Sequence, residues 1–217
     1  MIPDSLSKRI QSTGIVAVLV IDQEEDGPPL AKALLEGGVD IMELTLRTPA
    51  ALGALRRIRA EVPEMLAGAG TVLTPAQVEE VKNAGAEFAV SPGVNPRVLQ
   101  AAKDAGIPFA PGIATPSDVE HALEFDCRLL KFFPAEATGG LAYLKAMAAP
   151  YQHLGVRFLP LGGVNEKNMS SYLADPLIPA IGGSWLAPRE AIREKRWEHI
   201  TTLAHQATTL IQSHRAK

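Results

Sequence analysis

The sequence predicts an α/β fold, a (β/α)8 TIM barrel preceded by a short helix. About eight short apolar runs each end in Gly, Pro, Ser or Thr, and a segment with helical periodicity follows each run. Strands that alternate with helices form right-handed βαβ units and a parallel sheet, and about eight units in 217 residues fit a compact barrel. An open, doubly wound sheet is the alternative. Its dinucleotide-binding form is disfavoured because Leu73 stands where the third glycine of the Gly68-Ala69-Gly70 run should follow.

The predicted strands occur in order along the chain, after a short helix at residues 3–12. They cover residues 15–20, 40–46, 66–70, 87–91, 107–111, 128–133, 156–161 and 178–181. Helices are predicted at residues 24–38 and 140–149, from residue 166 onward, and in two pieces after the last strand. Four more helices are predicted to begin at Thr-Pro or Asn-Pro pairs, in which the first residue caps the helix; these caps are Thr48, Thr74, Asn95 and Thr115. No linker divides the chain, so we expect a single domain over residues 1–217.

Composition bounds the partners and the location of the protein. It is 47% hydrophobic and 21% charged, as is usual for globular proteins, and its net charge of −3 gives no electrostatic reason to expect nucleic acid or an anionic membrane as a partner. The N-terminus lacks the basic and apolar regions of a signal peptide, and the longest apolar run, 15–21, is too short to span a bilayer. We therefore expect a cytoplasmic protein. The single cysteine, Cys127, excludes an internal disulfide and is interpreted as a small core residue.

Lys131 stands in the middle of an apolar run, Leu129-Leu130-Lys131-Phe132-Phe133. Strands of a parallel sheet are covered on both faces, so a lysine there must be desolvated, paired, or extended along its stem to solvent. Removal from water disfavours the ammonium form of a lysine and leaves a neutral amine, which can form a Schiff base with a carbonyl compound. The run alone does not choose between an extended surface lysine and a reactive one.

Other polar residues fall at the carboxyl ends of predicted strands, where (β/α)8 barrels form their active sites. Glu43 and Arg47 lie on one face of the second strand, together with Thr45, because side chains alternate along a strand. Thr71 follows the third strand, and Pro92 follows the fourth. A buried ion pair could be merely structural, but charged residues at several strand ends favour a functional site.

The face of Lys131 follows from the same alternation. If the apolar residues 130 and 132 contact the helices, Lys131 and Phe133 point into the barrel.

The last two strands end in Gly162-Gly163 and in Gly182-Gly183-Ser184. Glycines allow backbone N–H groups to approach a ligand, and these two loops are the usual phosphate site of such barrels, although ordinary tight turns would also use glycine. No metal-binding motif is present, and we expect neither metal nor cofactor.

These residues resemble the family of 2-keto-3-deoxy-6-phosphogluconate (KDPG) aldolases, which often also cleave 4-hydroxy-2-oxoglutarate (KHG). Matching segments run in order over nearly the whole chain, at residues 43–48, 68–73, 91–93, 111–115, 131–136, 162–164 and 181–186. The resemblance implies a metal-independent class I aldolase, a carbon–carbon lyase, on a (β/α)8 barrel that is commonly a homotrimer. It further implies a small-molecule substrate, a 2-oxo acid or phosphorylated sugar acid.

The resemblance also assigns roles to residues. Lys131 would be the Schiff-base lysine and Glu43 the general acid and base. As a mechanistic hypothesis, we expect Glu43 to exchange protons with the substrate through a water molecule. The implied substrate-binding residues hold the pyruvate moiety, line the pocket or hold the phosphate; they are Arg47, Thr71, Phe133, Pro92, Gly162, Gly163 and Ser184. The expected products are pyruvate and D-glyceraldehyde 3-phosphate, or pyruvate and glyoxylate.

One departure from the family pattern concerns substrate preference. Many members have Thr before the glycine pair of strand seven, where this chain has Leu161. A site that loses a hydrogen-bonding partner for a substrate hydroxyl changes its preference. Leu161 therefore leaves the exact sugar acid open. Three competing interpretations of the whole site also remain: a related Schiff-base lyase for an unphosphorylated or galactonate-derived 2-oxo acid, a non-catalytic barrel that binds phosphorylated ligands, and a metal-dependent aldolase.

Overall fold

The structure is a computed structural model that describes residues 1–215; residues 216–217, the end of the expected domain, lie outside the described part. Its strands all pair in parallel. They are β1 Ile15–Leu19, β2 Ile41–Thr45, β3 Leu66–Gly70, β4 Ala89–Val90, β5 Phe109–Ala110, β6 Gly112–Ile113, β7 Leu129–Phe132, β8 Arg157–Pro160 and β9 Ile181–Gly183.

Helices alternate with the strands along the chain, as predicted. They are α1 Asp4–Thr13, α2 Gly27–Glu36, α3 Ala51–Glu61, α4 Pro75–Asn83, α5 Pro96–Ala105, α6 Pro116–Glu124, α7 Gly140–Ala148, α8 Met169–Leu173, α9 Arg189–Arg193 and α10 Trp197–Arg215, with short 3-10 helices at Glu24–Asp26 and Ala149–Leu154. Among residues 1–215, no helix is both long and apolar enough to cross a bilayer.

The strands form two parallel sheets, which confirms the α/β class. The order is β5-β4-β3-β2-β1-β9 in a curled six-stranded sheet and β6-β7-β8 in a three-stranded sheet. Only Pro111 separates β5 from β6, and its carbonyl accepts a hydrogen bond from the Lys131 backbone N–H at 2.9 Å. In the described residues no strand pairing joins β8 to β9, so strand pairing does not close the sheets into the single eight-stranded barrel that the sequence predicts. Pro160 and Pro179, which border that gap, have no N–H groups to donate.

Local signals marked most helix starts correctly and one incorrectly. The hydroxyls of Thr74 and Thr115 accept from the third helical residue in capping boxes, and the Asn95 side chain caps α5. The prediction for Thr48 was wrong, since α3 begins at Ala51 and the Thr48 hydroxyl donates to the Ile21 carbonyl instead. The Thr48 hydroxyl therefore links the loop after β2 to the loop after β1 by a hydrogen bond.

Later boundaries also differ from the sequence prediction. The last strand is β9, which begins at Ile181 where the prediction for residues 178–181 ended, and α8 begins at Met169 rather than at residue 166. Asn165 and Asn168 explain the second difference, because the Asn168 side chain accepts from the Asn165 N–H and holds an extra turn before the helix.

The apolar core has two layers, which follow from the alternation of side chains along each strand. The outer layer lies between strands and helices and includes Leu44, Leu130 and Phe132, whereas the inner layer lies among the strands. Inner residues include Leu6 and Ile10 of α1, with Val16, Ile41, Leu66, Phe88 and Leu129. Because Ile41 and Leu66 are the first residues of β2 and β3, α1 covers the amino-terminal end of the strands and leaves their carboxyl-terminal end for a site.

Cys127 is buried directly before β7, with 1% of its surface exposed. Burial raises the pKa of its thiol to about 11, so the reactive thiolate is scarce at neutral pH. The interpretation of Cys127 as a core residue is therefore confirmed.

Candidate active site

Lys131 on β7 and Glu43 on β2 form a buried ion pair. The Lys131 Nζ donates to Glu43 Oε1 at 2.9 Å, and the residues are 7% and 2% exposed. The lysine therefore does not extend to solvent, as one interpretation of its apolar surroundings had allowed. The pair joins an amine and a carboxylate, the two groups that carbonyl addition and proton transfer require.

Glycines on β3 create the space for the Glu43 carboxylate. Glu43 lies opposite Gly68 in the register of β2 and β3. A Cβ atom at Gly70 would collide with Glu43 Oε1, and one at Gly68 would collide with the ring of Phe88. The run Gly68-Ala69-Gly70, which fails as a nucleotide fingerprint, therefore serves the packing of the site.

The side-chain alternation predicted for β7 is confirmed. Phe132 belongs to the outer layer and stacks on Tyr143 of α7 at a centroid distance of 6.2 Å, whereas Leu129 belongs to the inner layer. The Lys131 Nζ lies 5.7 Å from the centroid of the Phe133 ring, a distance at which the ring attracts a cation. Phe133 thus shapes the surroundings of the lysine.

A cavity of about 180 Å³ brings together every site residue that the sequence predicted. Its walls also include four residues to which the sequence analysis assigned no role in binding or catalysis, Val18, Thr45, Val164 and Gly182. The lining comprises those four with Glu43, Arg47, Thr71, Pro92, Lys131, Phe133, Leu161, Gly162, Gly163 and Ser184. Five of the lining residues are large and apolar or proline: Val18, Pro92, Phe133, Leu161 and Val164. Phe133 lies beside the Lys131 amine and Val18 lies next to Glu43 in the strand register, so apolar side chains flank the ion pair.

Signals for two of the missed residues exist in the register. Val18 lies directly opposite Glu43 between β1 and β2, but an apolar side chain gives no chemical indication of a site. Thr45 shares the face of Glu43, and its hydroxyl donates to the Leu19 carbonyl at 2.8 Å. Thr45 therefore links β2 to the end of β1 within the cavity wall.

Thr71 adopts a strained backbone conformation immediately after β3. Its φ of 61° lies in the left-handed region, which is rare for a β-branched residue. Such outliers persist where the surroundings fix them, and they concentrate at binding sites. The strain directs attention to Thr71 as a functional residue independently of its motif.

Arg47 lies exposed at the mouth of the cavity. Within residues 1–215, its guanidinium makes neither a side-chain hydrogen bond nor a salt bridge, while its backbone N–H donates to the Thr45 carbonyl at 2.7 Å. A guanidinium in this position can bind a carboxylate through two parallel hydrogen bonds.

Close backbone packing holds the three loops around the mouth. Gly162 and Gly163 have φ angles of 90° and 87°, which only glycine adopts easily. A Cβ atom at Gly112 would collide with the Pro92 carbonyl, and one at Gly182 would collide with the side chain of Leu161. The glycines thus let Pro92 approach β6 and let Leu161 approach β9.

A larger cavity of about 510 Å³ lies between α1, β8 and α10. Its walls contain no lysine and a single carboxylate, that of Asp175, which accepts from the Leu177 N–H. It therefore lacks the paired amine and carboxylate of the smaller cavity. In the described part of the chain, no three His, Cys, Asp or Glu side chains are grouped so as to hold a metal ion.

A sequence model of the KDPG and KHG aldolase family matches residues 6–203. The chain belongs to this family. The KHG/KDPG aldolase of Escherichia coli (strain K12) is 46% identical over 202 residues, which cover 93% of this chain and 94% of the relative. Membership in the aldolase family confirms the resemblance and the expectation of a lyase that acts on carbon–carbon bonds.

Two solved structures of KDPG aldolases are similar to this aldolase. One, from Legionella pneumophila, holds pyruvate captured at low pH as a covalent carbinolamine intermediate; it is 42% identical with a TM-score of 0.88, and the match covers 92% of this chain and 96% of that one. The other, from Zymomonas mobilis ZM4, holds 3-phosphoglycerate. It is 38% identical with a TM-score of 0.85, and the match covers 94% of this chain and 95% of that one.

Proposed function

We propose that this aldolase forms a Schiff base through Lys131 and cleaves 2-dehydro-3-deoxy-6-phospho-D-gluconate to pyruvate and D-glyceraldehyde 3-phosphate. By the same chemistry it cleaves 4-hydroxy-2-oxoglutarate to pyruvate and glyoxylate. The observation that carries the proposal is the buried contact of 2.9 Å between Lys131 Nζ and Glu43 Oε1 inside the cavity. The carbinolamine of pyruvate in the Legionella pneumophila relative supports it.

The first half of the reaction builds the electron sink. Lys131 passes a proton to Glu43, and the free amine attacks the C2 carbonyl of the substrate to form a carbinolamine. Glu43 returns the proton to the carbinolamine hydroxyl, which leaves as water, and the positively charged iminium remains. These reaction steps need no metal, because the iminium itself draws electrons from the adjacent carbons.

The second half breaks the C3–C4 bond. Glu43 removes the proton of the C4 hydroxyl, the aldehyde departs, and the electron pair of the broken bond enters the enamine. Glu43 then delivers that proton to C3, and addition of water releases pyruvate and restores the amine of Lys131. One carboxylate therefore serves as base and acid in turn, as its contact with Lys131 allows.

Two groups of residues bind the ends of the substrate in this proposal. Arg47 and Thr71 hold the carboxylate of the pyruvate moiety, with the guanidinium supplying charge-assisted hydrogen bonds. Gly162, Gly163 and Ser184 hold the phosphate through backbone N–H groups and a hydroxyl. Phe133 and Pro92 line the space between. The 3-phosphoglycerate in the Zymomonas mobilis relative supports a phosphate end in this site.

Borohydride trapping tests the proposal. The protein is incubated with pyruvate and reduced, and peptide mass spectrometry locates the adduct. We expect a reduced pyruvyl adduct on Lys131, no adduct and no turnover in Lys131→Ala, and an adduct with slow turnover in Glu43→Gln. Loss of general acid–base catalysis commonly costs about 100-fold or more in rate. Absence of an adduct in the folded wild-type protein would refute the Schiff-base mechanism.

Leu161 favours a second candidate, a Schiff-base lyase for an unphosphorylated or galactonate-derived 2-oxo acid. Its side chain is 3% exposed and contributes an apolar wall to the cavity. Values of kcat/KM for phosphorylated and unphosphorylated substrates decide between the candidates. A metal-dependent aldolase would lose activity in EDTA, whereas the proposed enzyme keeps it.

We also infer that residues 1–217 form one closed (β/α)8 barrel. Two contacts across the gap between β8 and β9 support closure: the Phe158 N–H donates to the Leu177 carbonyl at 2.8 Å, and Leu161 packs against Gly182. A crystal structure with backbone hydrogen bonds between β8 and β9 would agree with this inference. A crystal structure in which that gap stays open would contradict it.

The assembly and location of the protein complete the proposal. The family resemblance supports a homotrimer, which light scattering would detect as a mass near three times 23.1 kDa. A monomeric mass at micromolar concentration would contradict it. A cytoplasmic location is our proposal as well, and fractionation of the source cells tests it.

A further inference from the structure

The loop after β8, residues 162–164, here called the glycine loop, is fixed by hydrogen bonds to its carbonyl groups. The Leu161 carbonyl, just before the loop, accepts from the Ala135 N–H at 2.7 Å, and the Gly162 carbonyl accepts from the Glu136 N–H at 3.0 Å. The Gly163 carbonyl accepts from the side-chain amides of two asparagines, Asn165 at 2.9 Å and Asn168 at 3.1 Å.

The direction of the N–H groups follows from these carbonyl contacts. In a trans peptide the C=O and N–H bonds point in opposite directions, and none of the peptides of the glycine loop is cis. The N–H groups of Gly162, Gly163 and Val164 therefore point away from the donors that hold the carbonyls. Among residues 1–215 these three N–H groups have no protein acceptor, and all three residues line the active-site cavity with Ser184. Successive N–H groups of this kind bind anions.

Glu136, in the segment that follows β7, contacts the glycine loop through both its backbone and its side chain. Its backbone holds the Gly162 carbonyl, and its Cβ and Cγ atoms would lie 2.6 and 2.7 Å from a Cβ atom at Gly163. The side chain of Glu136 is in turn held by Tyr172 of α8, whose hydroxyl donates to Glu136 Oε1. Tyr172 is 2% exposed, so this hydroxyl occupies a fixed place in the core.

The contact between Tyr172 and Glu136 also keeps negative charge in a defined position. A carboxylate that turned toward the glycine loop would repel a bound phosphate. Burial, and then the neighbouring Glu136, raises the pKa of Tyr172 well above its usual range, so the phenol remains a donor at neutral pH. The hydroxyl therefore holds one carboxylate oxygen on the side of α8.

We propose that Tyr172 is a positioning residue that acts through Glu136 to orient the N–H groups of the glycine loop toward the phosphate of the substrate. This inference rests on the proposed function and adds to it Tyr172 and Glu136, which position the loop that holds the phosphate. Tyr172 touches no substrate atom in this arrangement. Its effect is therefore expected on phosphate binding rather than on the chemistry at Lys131.

The test uses a substitution that removes only the hydroxyl. In Tyr172→Phe we expect the Kd for 3-phosphoglycerate, measured by calorimetry on the whole protein, to rise about five-fold, the effect of one hydrogen bond. KM for the phosphorylated sugar acid should rise similarly, while KM for 4-hydroxy-2-oxoglutarate and borohydride trapping of pyruvate stay within about two-fold.

Two further variants separate positioning from general damage. Tyr143→Phe removes another tyrosine hydroxyl, which is half-buried and donates to the Ala114 carbonyl at 2.8 Å, and should leave the Kd for 3-phosphoglycerate unchanged. Glu136→Gln keeps an oxygen that can accept from Tyr172 and should bind 3-phosphoglycerate as the wild type does.

Every outcome of these measurements decides the proposal. Equal effects of Tyr172→Phe on both substrates, an unchanged Kd for 3-phosphoglycerate, or a weakened Kd in Glu136→Gln would overturn it. A wild-type protein that does not bind 3-phosphoglycerate would overturn it as well. A wild type that binds 3-phosphoglycerate but forms no pyruvyl adduct refutes only the Schiff-base function, and the Kd values of the variants then still test the role of Tyr172.

Discussion

Lys131 Nζ lies 2.9 Å from Glu43 Oε1, although the two residues belong to different sheets. Glu43 is on β2 in the middle of the six-stranded sheet, and Lys131 is on β7 in the middle of the three-stranded sheet. Their side chains therefore meet across the interior that the two sheets enclose. Burial of two charges costs several kcal/mol per ion, so such a pair contributes little net stability.

Removal of only one partner of this pair should destabilise the protein strongly. In Lys131→Met the Glu43 carboxylate stays buried without its cation, and we expect the free energy of unfolding to fall by about 3–5 kcal/mol. The double variant Lys131→Met with Glu43→Gln carries neither charge and should recover most of that loss. Urea unfolding of the wild type and the variants measures both effects.

Arg57→Met provides the control for that experiment. Arg57 Nε lies 3.0 Å from Glu61 Oε1, and both side chains are exposed, at 40% and 44%, so the loss should stay within about 1 kcal/mol. If Lys131→Met cost no more than this control, or if the double variant were less stable than Lys131→Met, the ion pair would not be desolvated as described.

We expect Thr71 to lower the stability of the fold through its strained backbone and to improve pyruvate binding through its hydroxyl. Its φ of 61° is unfavourable for a β-branched residue, so Thr71→Gly relieves strain and should raise the free energy of unfolding by about 1 kcal/mol. The same change removes the hydroxyl, so a higher pyruvate concentration should be needed for half-maximal borohydride trapping. Thr71→Ser keeps the hydroxyl and leaves a Cβ atom in the left-handed conformation, so it serves as the control. Thr71→Gly that is less stable than Thr71→Ser would contradict the interpretation of strain.

The sequence was informative wherever the signal is local. Apolar runs located the strands because a parallel sheet is covered on both faces. The alternation of side chains placed Lys131 and Phe133 on the interior face because its period of two depends on the strand alone. Thr-Pro and Asn-Pro pairs located three helix starts because a cap is made by residues three positions apart or fewer.

Long-range contacts explain what the sequence did not reveal. The Thr48 hydroxyl bonds the distant Ile21 carbonyl rather than its own helix, and no local pattern distinguishes the two partners. Val18 lines the cavity through strand register, without any chemical signal of its own. Tyr172 reaches Glu136 across 36 positions of sequence, so its role becomes visible only when α8 is packed against the end of β7.

Asp22 should make the stability of the protein depend on pH in the acidic range. Hydrogen bonds from Arg189 first, and then from Arg193, hold the pKa of Asp22 well below its usual range. The ionised form is thus favoured by folding, and its contribution is complete above about pH 4 and is lost as the pH falls further toward the lowered pKa. Asp22→Asn should cost at most about 1 kcal/mol at pH 7, because both arginines are exposed, and the difference from wild type should shrink below about pH 4.

Urea unfolding of Asp22→Asn at pH 7, 5 and 3.5 measures this dependence, with Glu61→Gln as the control. Glu61 pairs with Arg57 on the exposed surface of α3, and its loss should cost about 0.3–0.5 kcal/mol. A difference between Asp22→Asn and wild type that grew toward low pH would contradict the sign derived for Asp22.

Leu161 should determine how the aldolase ranks its substrates. Thr has the shape of Val with a hydroxyl in place of one methyl group, so the pair Leu161→Thr and Leu161→Val isolates the effect of a hydrogen-bonding group at this wall. Both variants lose apolar contact with Gly182 and should be less stable by about 1–3 kcal/mol. Only Leu161→Thr should raise kcat/KM for the phosphorylated sugar acid relative to 4-hydroxy-2-oxoglutarate, by about ten-fold, because the sugar acid carries an additional hydroxyl. Equal ratios of kcat/KM for the two substrates in both variants would show that residue 161 does not bind a substrate hydroxyl. Selectivity would then arise at the phosphate end instead.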